Sequence, residues 1–213
     1  MNPALIDYGA GNLRSVANAL RELSIHPRLA TTPADLNGAS HLILPGVGSF
    51  GDCMAQLGKL HLTDPIREWI AAGRPYLGIC LGYQILFESS EETPGIAGLG
   101  AFKGSVRRFR QRPGLKIPHM GWNSAVPRRP ESPTWSGLGR EPYFYFVHSY
   151  FPVPEDDSLI AATTRYGEDT FAAAIELPGL LACQFHPEKS QDAGLRLLRN
   201  FLTPEATARA TFS

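Results

Sequence analysis

Cysteine is scarce in this chain, with three among 213 residues: Cys53, Cys80 and Cys183. An odd number with no pair at metal-knuckle spacing argues against a disulfide framework or a cysteine-based zinc site. Free thiols in a reducing cytoplasm are the simplest reading. Long hydrophobic runs are also missing. The apolar stretches are strand-sized, which excludes a membrane-spanning helix. The opening "MNPALIDYGAG" has a carboxylate close behind its apolar run and no basic region ahead of it, so it does not read as a signal peptide. An excess of one charge is absent too: 20 Lys and Arg balance 20 Asp and Glu. Nothing points to nucleic acid, a membrane surface or another polyanion as partner. What remains is a neutral chain long enough to bury a sizeable core, without internal repeats.

The first half alternates between strand and helix patterns. "ALIDY" reads as a strand, and in "NLRSVANALREL" Leu13, Val16, Ala17, Leu20 and Leu23 share one helical face. "HPRLA" and "HLILP" follow as strands. "GDCMAQLGKL" and "DPIREWIAAG" then read as helices, the second with Asp64 as N-cap and Pro65 at the first helical position. "PYLGIC" is the next strand, and a helix begins near Gly82. The expected fold is α/β: an open, mostly parallel, twisted sheet flanked by helices. In the second half "SVRRF", "YFYFVHSY", "LIAATTRYG", "TFAAAIEL" and "LLACQF" succeed one another with few helices between, which predicts a mixed or antiparallel extension of that sheet. "PRRPESPTWSGLG" at 127–139 is the most loop-like stretch, and "QDAGLRLLRNFL" is a closing helix. A single domain is expected over 1–202, with a fraying tail at 203–213.

Cys80 stands in "PYLGICLGYQ" with a glycine two residues away on each side, Gly78 and Gly82. A nucleophile displayed on a tight strand-to-helix turn needs small residues at those positions, because the turn is strained and its flanks would otherwise collide. The N-terminus of the following helix favours thiolate over thiol. A core cysteine with two incidental glycines is the plain alternative. "QFHPEKS" supplies a base and an orienter: His186 and Glu188 are two apart at the end of an apolar strand, where the period of two places them on one face. A surface His-Pro-Glu turn is the plain alternative here. Cys183 has the opposite parity and reads as core. "PGVGSFG" at 45–51 matches G-x-G-x-x-G through Gly46, Gly48 and Gly51, a weak dinucleotide fingerprint. It reads equally as a glycine-rich loop whose backbone N–H groups face the nucleophile, or as an ordinary βα turn.

Taken together, "GICLGYQ", "PGVGSFG" and "HPEKS" resemble the class I, triad-type glutamine amidotransferases. "DYGAGNL", "PHMGWN" at 118–123 and "YFVHSY" at 145–150 narrow the resemblance to the glutaminase subunits of imidazole glycerol phosphate synthase, over residues 4 to about 201. The resemblance implies that Cys80 attacks the carboxamide of glutamine, that His186 carries the proton, and that Glu188 orients His186. It places the oxyanion at the backbone of Leu81 and of Val47–Gly48, and the amino-acid end of the substrate at Gln84, Glu92, His148, Ser149 and Tyr150. It implies a separate (β/α)8-barrel cyclase subunit as partner in a heterodimer, met near Asn12, Arg14, His119, Met120, Trp122 and Lys189. The plain readings of three of these are a solvated helix residue for Arg14 and core residues for Met120 and Trp122. Neither a cofactor nor a metal is expected. A glutaminase subunit of another amidotransferase, such as that of pyridoxal phosphate synthase, a non-enzymatic cysteine sensor and a dinucleotide enzyme are the competing readings.

Overall fold

The computed structural model describes residues 1–9 and 11–202; the 203–213 tail lies outside the described residues. The first half builds β1 (Ala4–Ile6), α1 (Leu13–Glu22), β2 (Arg28–Ala30), β3 (Leu42–Leu44), α2 (Phe50–Lys59), α3 (Thr63–Ala71), β4 (Tyr76–Ile79) and the single turn α4 (Leu81–Gln84). The second half builds β5 (Ser89–Ser90), β6 (Gly104–Arg108), β7 (His119–Ser124), β8 (Val126–Pro127), β9 (Tyr143–His148), β10 (Tyr150–Pro154), β11 (Ile160–Tyr166), β12 (Asp169–Leu177), β13 (Leu180–Cys183) and α5 (Gln191–Leu202).

The main sheet has eight strands in the order β2-β1-β3-β4-β13-β12-β11-β8. The first five run parallel, and β12, β11 and β8 extend the sheet antiparallel from β13. The parallel strands are buried on both faces, so alternate residues enter different cores. Leu5, Ile43, Leu77, Ile79, Leu181 and Cys183 pack with Val16 and Leu20 of α1 and Leu197, Leu198 and Phe201 of α5. Ala4, Ile6, Leu42, Leu44, Tyr76 and Ala182 pack on the other face with α2 and α3 through Phe50, Leu57, Ile66 and Trp69. Among the described residues no helix is long and apolar enough to cross a membrane.

The fold differs from expectation in three ways. "YFYFVHSY" is two strands broken at Ser149, and neither joins the main sheet. β9 pairs antiparallel with β7 in a two-stranded ribbon, and β10 pairs with β6 in a small third sheet. The stretch 127–139 is more than a loop: a short 3-10 turn, Pro133–Trp135, buries the Trp135 ring. α3 starts earlier than predicted, capped at Leu62 rather than Asp64, because Ile66 N–H already donates to Leu62 C=O. Pro65 is tolerated two positions deeper because first-turn N–H groups have no intrahelical acceptor.

The turn from β4 into α4 is a very close backbone approach. A Cβ placed on Gly82 would lie 1.9 Å from the Leu44 carbonyl oxygen, and one on Gly78 would lie 2.6 Å from the Gly82 oxygen. The buried Tyr76 hydroxyl donates to that Gly82 oxygen at 2.7 Å and fastens the turn. Gly82→Ala therefore destabilises the protein by about 3 kcal/mol. Gly58→Ala, in an open position on α2, stabilises it by about 0.5–1 kcal/mol. Urea unfolding of the two variants beside wild type checks both signs.

Candidate active site

Cys80 follows the last residue of β4 and caps α4 with φ 54° and ψ −102°. A side chain in this region carries roughly 1–3 kcal/mol of backbone strain, which the packing around Gly78 and Gly82 holds in place. Its N–H donates to Cys183 C=O at 2.7 Å, and its C=O accepts from Tyr83 and Gln84 N–H at 3.1 Å. The sulfur is thus displayed at the carboxyl edge of the sheet, where open α/β folds place their sites.

His186 and Glu188 meet by a different local structure from the one the strand period suggests. β13 ends at Cys183, and His186 caps a 3-10 turn, Pro187–Lys189, that swings Glu188 back under the ring. Nδ1 lies 2.8 Å from Glu188 Oε1, with both side chains buried. His186 N–H donates to Tyr145 C=O of β9 at 2.9 Å, and the Ser190 hydroxyl bonds the His186 carbonyl at 2.6 Å and Tyr145 N–H at 2.9 Å. Burial pushes the imidazole down, but the charges and hydrogen bonds of Cys80 and Glu188 outweigh it and lift His186 to about 10. His186 Nε2 is buried and makes no well-aligned hydrogen bond, although the Cys80 side chain lies close enough to act on the ring.

The cleft in front of the sulfur has a volume of about 270 Å³ and is lined by Val47, Gly48, Leu81, Gln84, Glu92, His148, Ser149, Tyr150 and His186, among others. The glycine-rich loop lies against the elbow: a Cβ on Gly46 would meet Leu81 Cβ at 2.5 Å. Gly48 has φ 105°, which an L side chain rarely adopts. Glu92 accepts from Phe50 N–H at 2.7 Å, tying the cleft wall to the start of α2. Gln84 donates to Tyr150 C=O at 3.0 Å. Both ring nitrogens of His148 are engaged, Nδ1 with Tyr150 C=O at 2.8 Å and Nε2 with His119 Nδ1 at 3.1 Å. A larger cleft of about 420 Å³ opens at the opposite end of the strands, beside Arg67, Arg74 and Leu180, and holds none of these groups.

The six positions expected near a partner separate. Met120 and Trp122 are 63% and 47% exposed on the outer face of the ribbon, which overturns their plain reading as core. Arg14 and Lys189 are exposed, and Lys189 Nζ lies 5.8 Å from the Tyr145 ring centre. Asn12 and His119 point inward: Asn12 Nδ2 donates to Glu188 Oε1 at 3.4 Å, and His119 stacks on Tyr166 with ring centres 4.0 Å apart. Sequence reasoning missed Gln184, which is fully buried and whose Nε2 lies 3.5 Å from Cys80 Sγ. Its two-residue offset from His186 was the available signal. All three cysteines are free, and no group of acidic, His and Cys residues among the described residues is placed to hold a metal.

The class I glutamine amidotransferase family model matches residues 4–204. The chain belongs to this family. Two curated relatives, each called imidazole glycerol phosphate synthase subunit HisH, are close to this amidotransferase along nearly its whole length. The one from Thermosynechococcus vestitus is 52% identical over 93% of this chain and 95% of its own. The one from Synechococcus elongatus is 47% identical over 97% and 94%. A crystal structure titled as a glutamine amidotransferase superposes with a TM-score of 0.71 at 23% identity, covering 96% of this chain and 98% of that one, which supports the fold.

The amidotransferase's buried histidines set its behaviour in acid. Burial pushes His41 and His119 down to about 4 and His148 down to about 3, with the amino terminus helping at His41 and His119 and His186 helping at His148. Below about pH 6.5 the unfolded chain binds protons at these sites and the folded chain does not, so stability falls as pH falls from about 6.5 to about 4. Each site contributes up to about 1.4 kcal/mol per pH unit. His186 has the opposite sign: its contribution is complete below about pH 6.5 and is lost as pH rises through about 10. His41→Gln, remote from the cleft, therefore flattens the acid slope by about one proton, read from urea midpoints between pH 4.5 and 6.5.

Proposed function

We propose that this chain is the glutaminase subunit of an imidazole glycerol phosphate synthase. It hydrolyses glutamine to glutamate and ammonia and delivers the ammonia to a separate cyclase subunit in cytoplasmic histidine biosynthesis. The observation that carries the reading is a strained, displayed Cys80 facing a buried His186–Glu188 pair. The sequence around it is about half identical to subunits bearing that name.

The Cys80 sulfur attacks the glutamine carboxamide carbon, and the new C–S bond pushes its electrons onto the oxygen. N–H groups at the start of α4 lack intrahelical acceptors, so Leu81 N–H is available to that oxyanion, with Val47–Gly48 providing the opposite wall. His186, held in its charged form beside Glu188, gives its proton to the leaving nitrogen. The C–N bond breaks, ammonia departs and a glutamyl thioester remains. Neutral His186 then takes a proton from water as the water adds to the thioester. The C–S bond breaks, releasing glutamate and returning the proton to the Cys80–His186 pair. Glu92, Gln84 and the backbone of His148–Tyr150 bound the end of the cleft where the substrate's amino and carboxylate groups sit. Met120 and Trp122 offer an exposed apolar face next to this cleft, a natural seat for a barrel-shaped cyclase, with Lys189 at its edge over the Tyr145 ring that Trp122 also meets.

Three variants test the assignment. Cys80→Ser removes glutamine hydrolysis to background, while a complex reconstituted with a cyclase subunit still turns over with added ammonium. His186→Asn is nearly as damaging. Glu188→Gln is milder, because it keeps the shape and loses only the charge opposite the imidazolium. Cys53→Ala and Cys183→Ala retain hydrolysis. The assay is glutamate release with and without the cyclase, together with imidazole glycerol phosphate formation. Glutamine-dependent turnover in Cys80→Ser removes the nucleophile assignment, and failure of the wild-type pair to form imidazole glycerol phosphate removes the pathway.

A further inference from the structure

Gln184 lies between β13 and His186 with none of its surface exposed, and its backbone N–H is bonded to Ala173 C=O at 2.8 Å. Burying an amide in an apolar strand end is costly unless each polar atom finds a partner. Here each does. Gln184 Oε1 accepts from Gln84 Nε2 at 3.1 Å, and Gln184 Nε2 donates to Cys80 Sγ at 3.5 Å. Which end of the amide faces the sulfur is fixed by its neighbours. Gln84 Nε2 also donates to Tyr150 C=O, so its amino group is turned toward two acceptors. A flipped Gln184 would set amino group against amino group and turn its carbonyl toward the sulfur.

The Tyr150 carbonyl is also held by His148. His148 Nδ1–H donates to Tyr150 C=O, so its Nε2 is the acceptor for His119 Nδ1–H. His119 Nε2 then accepts from Asn123 Nδ2, which also donates to Arg165 C=O at 2.9 Å. Each imidazole is confined to one neutral tautomer, and this chain ends at the Tyr150 carbonyl, which accepts from both His148 and Gln84; the bond from Gln84 to Gln184 then leaves a Gln184 N–H directed at Cys80 Sγ.

We propose that Gln184 is a further catalytic residue: its side-chain N–H steadies negative charge on Cys80 Sγ, and Gln84, turned by the Tyr150 carbonyl, locks it in the orientation that does so. A hydrogen bond to an ionised sulfur is stronger than one to a thiol, so the interaction favours the reactive form of the nucleophile. The inference rests on Cys80 being the nucleophile of the proposed glutaminase, but it can be read without glutamine.

The experiment is alkylation of the full chain by chloroacetamide between pH 5 and 9, with modification at Cys80 located by peptide mapping. Gln184→Glu keeps the size and turns an acceptor with negative charge toward the sulfur. Its alkylation rate at pH 7 is expected to fall at least tenfold, with the midpoint of its pH profile at least one unit higher. Gln184→Met, which removes the donor without adding charge, is expected to slow several-fold and decides the matter if Gln184→Glu does not fold. Wild-type rate and midpoint in a folded variant overturn the proposal. If alkylation is unchanged while glutamine turnover is lost, Gln184 only shapes the pocket and the glutaminase reading stands. If alkylation shifts in a chain that never hydrolyses glutamine, the role of Gln184 stands and that reading falls.

Discussion

The parallel pairing of β4 with β13 is the interaction on which the site depends. Ile79 lies opposite Cys183, and the next N–H along, that of Cys80, closes onto the Cys183 carbonyl. Parallel strands end at the same edge, so Cys80 leaves one strand where Gln184 and His186 leave the other, about a hundred residues later in the chain. A slip of one residue would send the side chains of one strand into the wrong core, and the two differently packed faces forbid it. The hydrophobic layering of the sheet is therefore what sets the geometry of the proposed site.

The elbow converts packing into reactivity. A left-handed backbone at a residue with a side chain is unfavourable, and it persists because α4 is pressed directly on the carbonyl of Leu44, with no room for a methyl group between. The Tyr76 hydroxyl, from the same core as Leu44, fastens α4 through the Gly82 carbonyl. His186 is fixed in a comparable way by backbone: the Tyr145 carbonyl and the Ser190 hydroxyl hold the main chain while Glu188 holds the ring. Few side-chain torsions are left for binding to organise.

Much of this was legible in the sequence, for definite reasons. Gly78 and Gly82 announce the elbow because no other residue fits there, and the βα alternation follows from apolar periods of two and 3.6. Less legible was the pairing of the later strands. "YFYFVHSY" alternates like any strand, but whether it joins the main sheet depends on a partner, β7, that lies a loop away and carries a histidine where an apolar residue would be expected. Met120 and Trp122 look like core by residue type, and only the ribbon's orientation turns them outward. His186 and Glu188 were correctly paired for the wrong local reason: a 3-10 turn, not strand parity, brings them together. Gln184 gives no compositional signal, because a glutamine's meaning depends on which way its amide faces, and residues far away in sequence decide that.

The β7–β9 ribbon has one further consequence, mechanical in kind. Its strands present Met120 and Trp122 outward and His119 inward, and the Tyr145 carbonyl is bonded to the backbone of His186. An extended two-stranded ribbon bends easily out of its plane but resists shear along its hydrogen bonds. Any body seated on its outer face thus has a stiff handle on the imidazole. A displacement there would reach His186 through that backbone bond, with no intervening loop to absorb it.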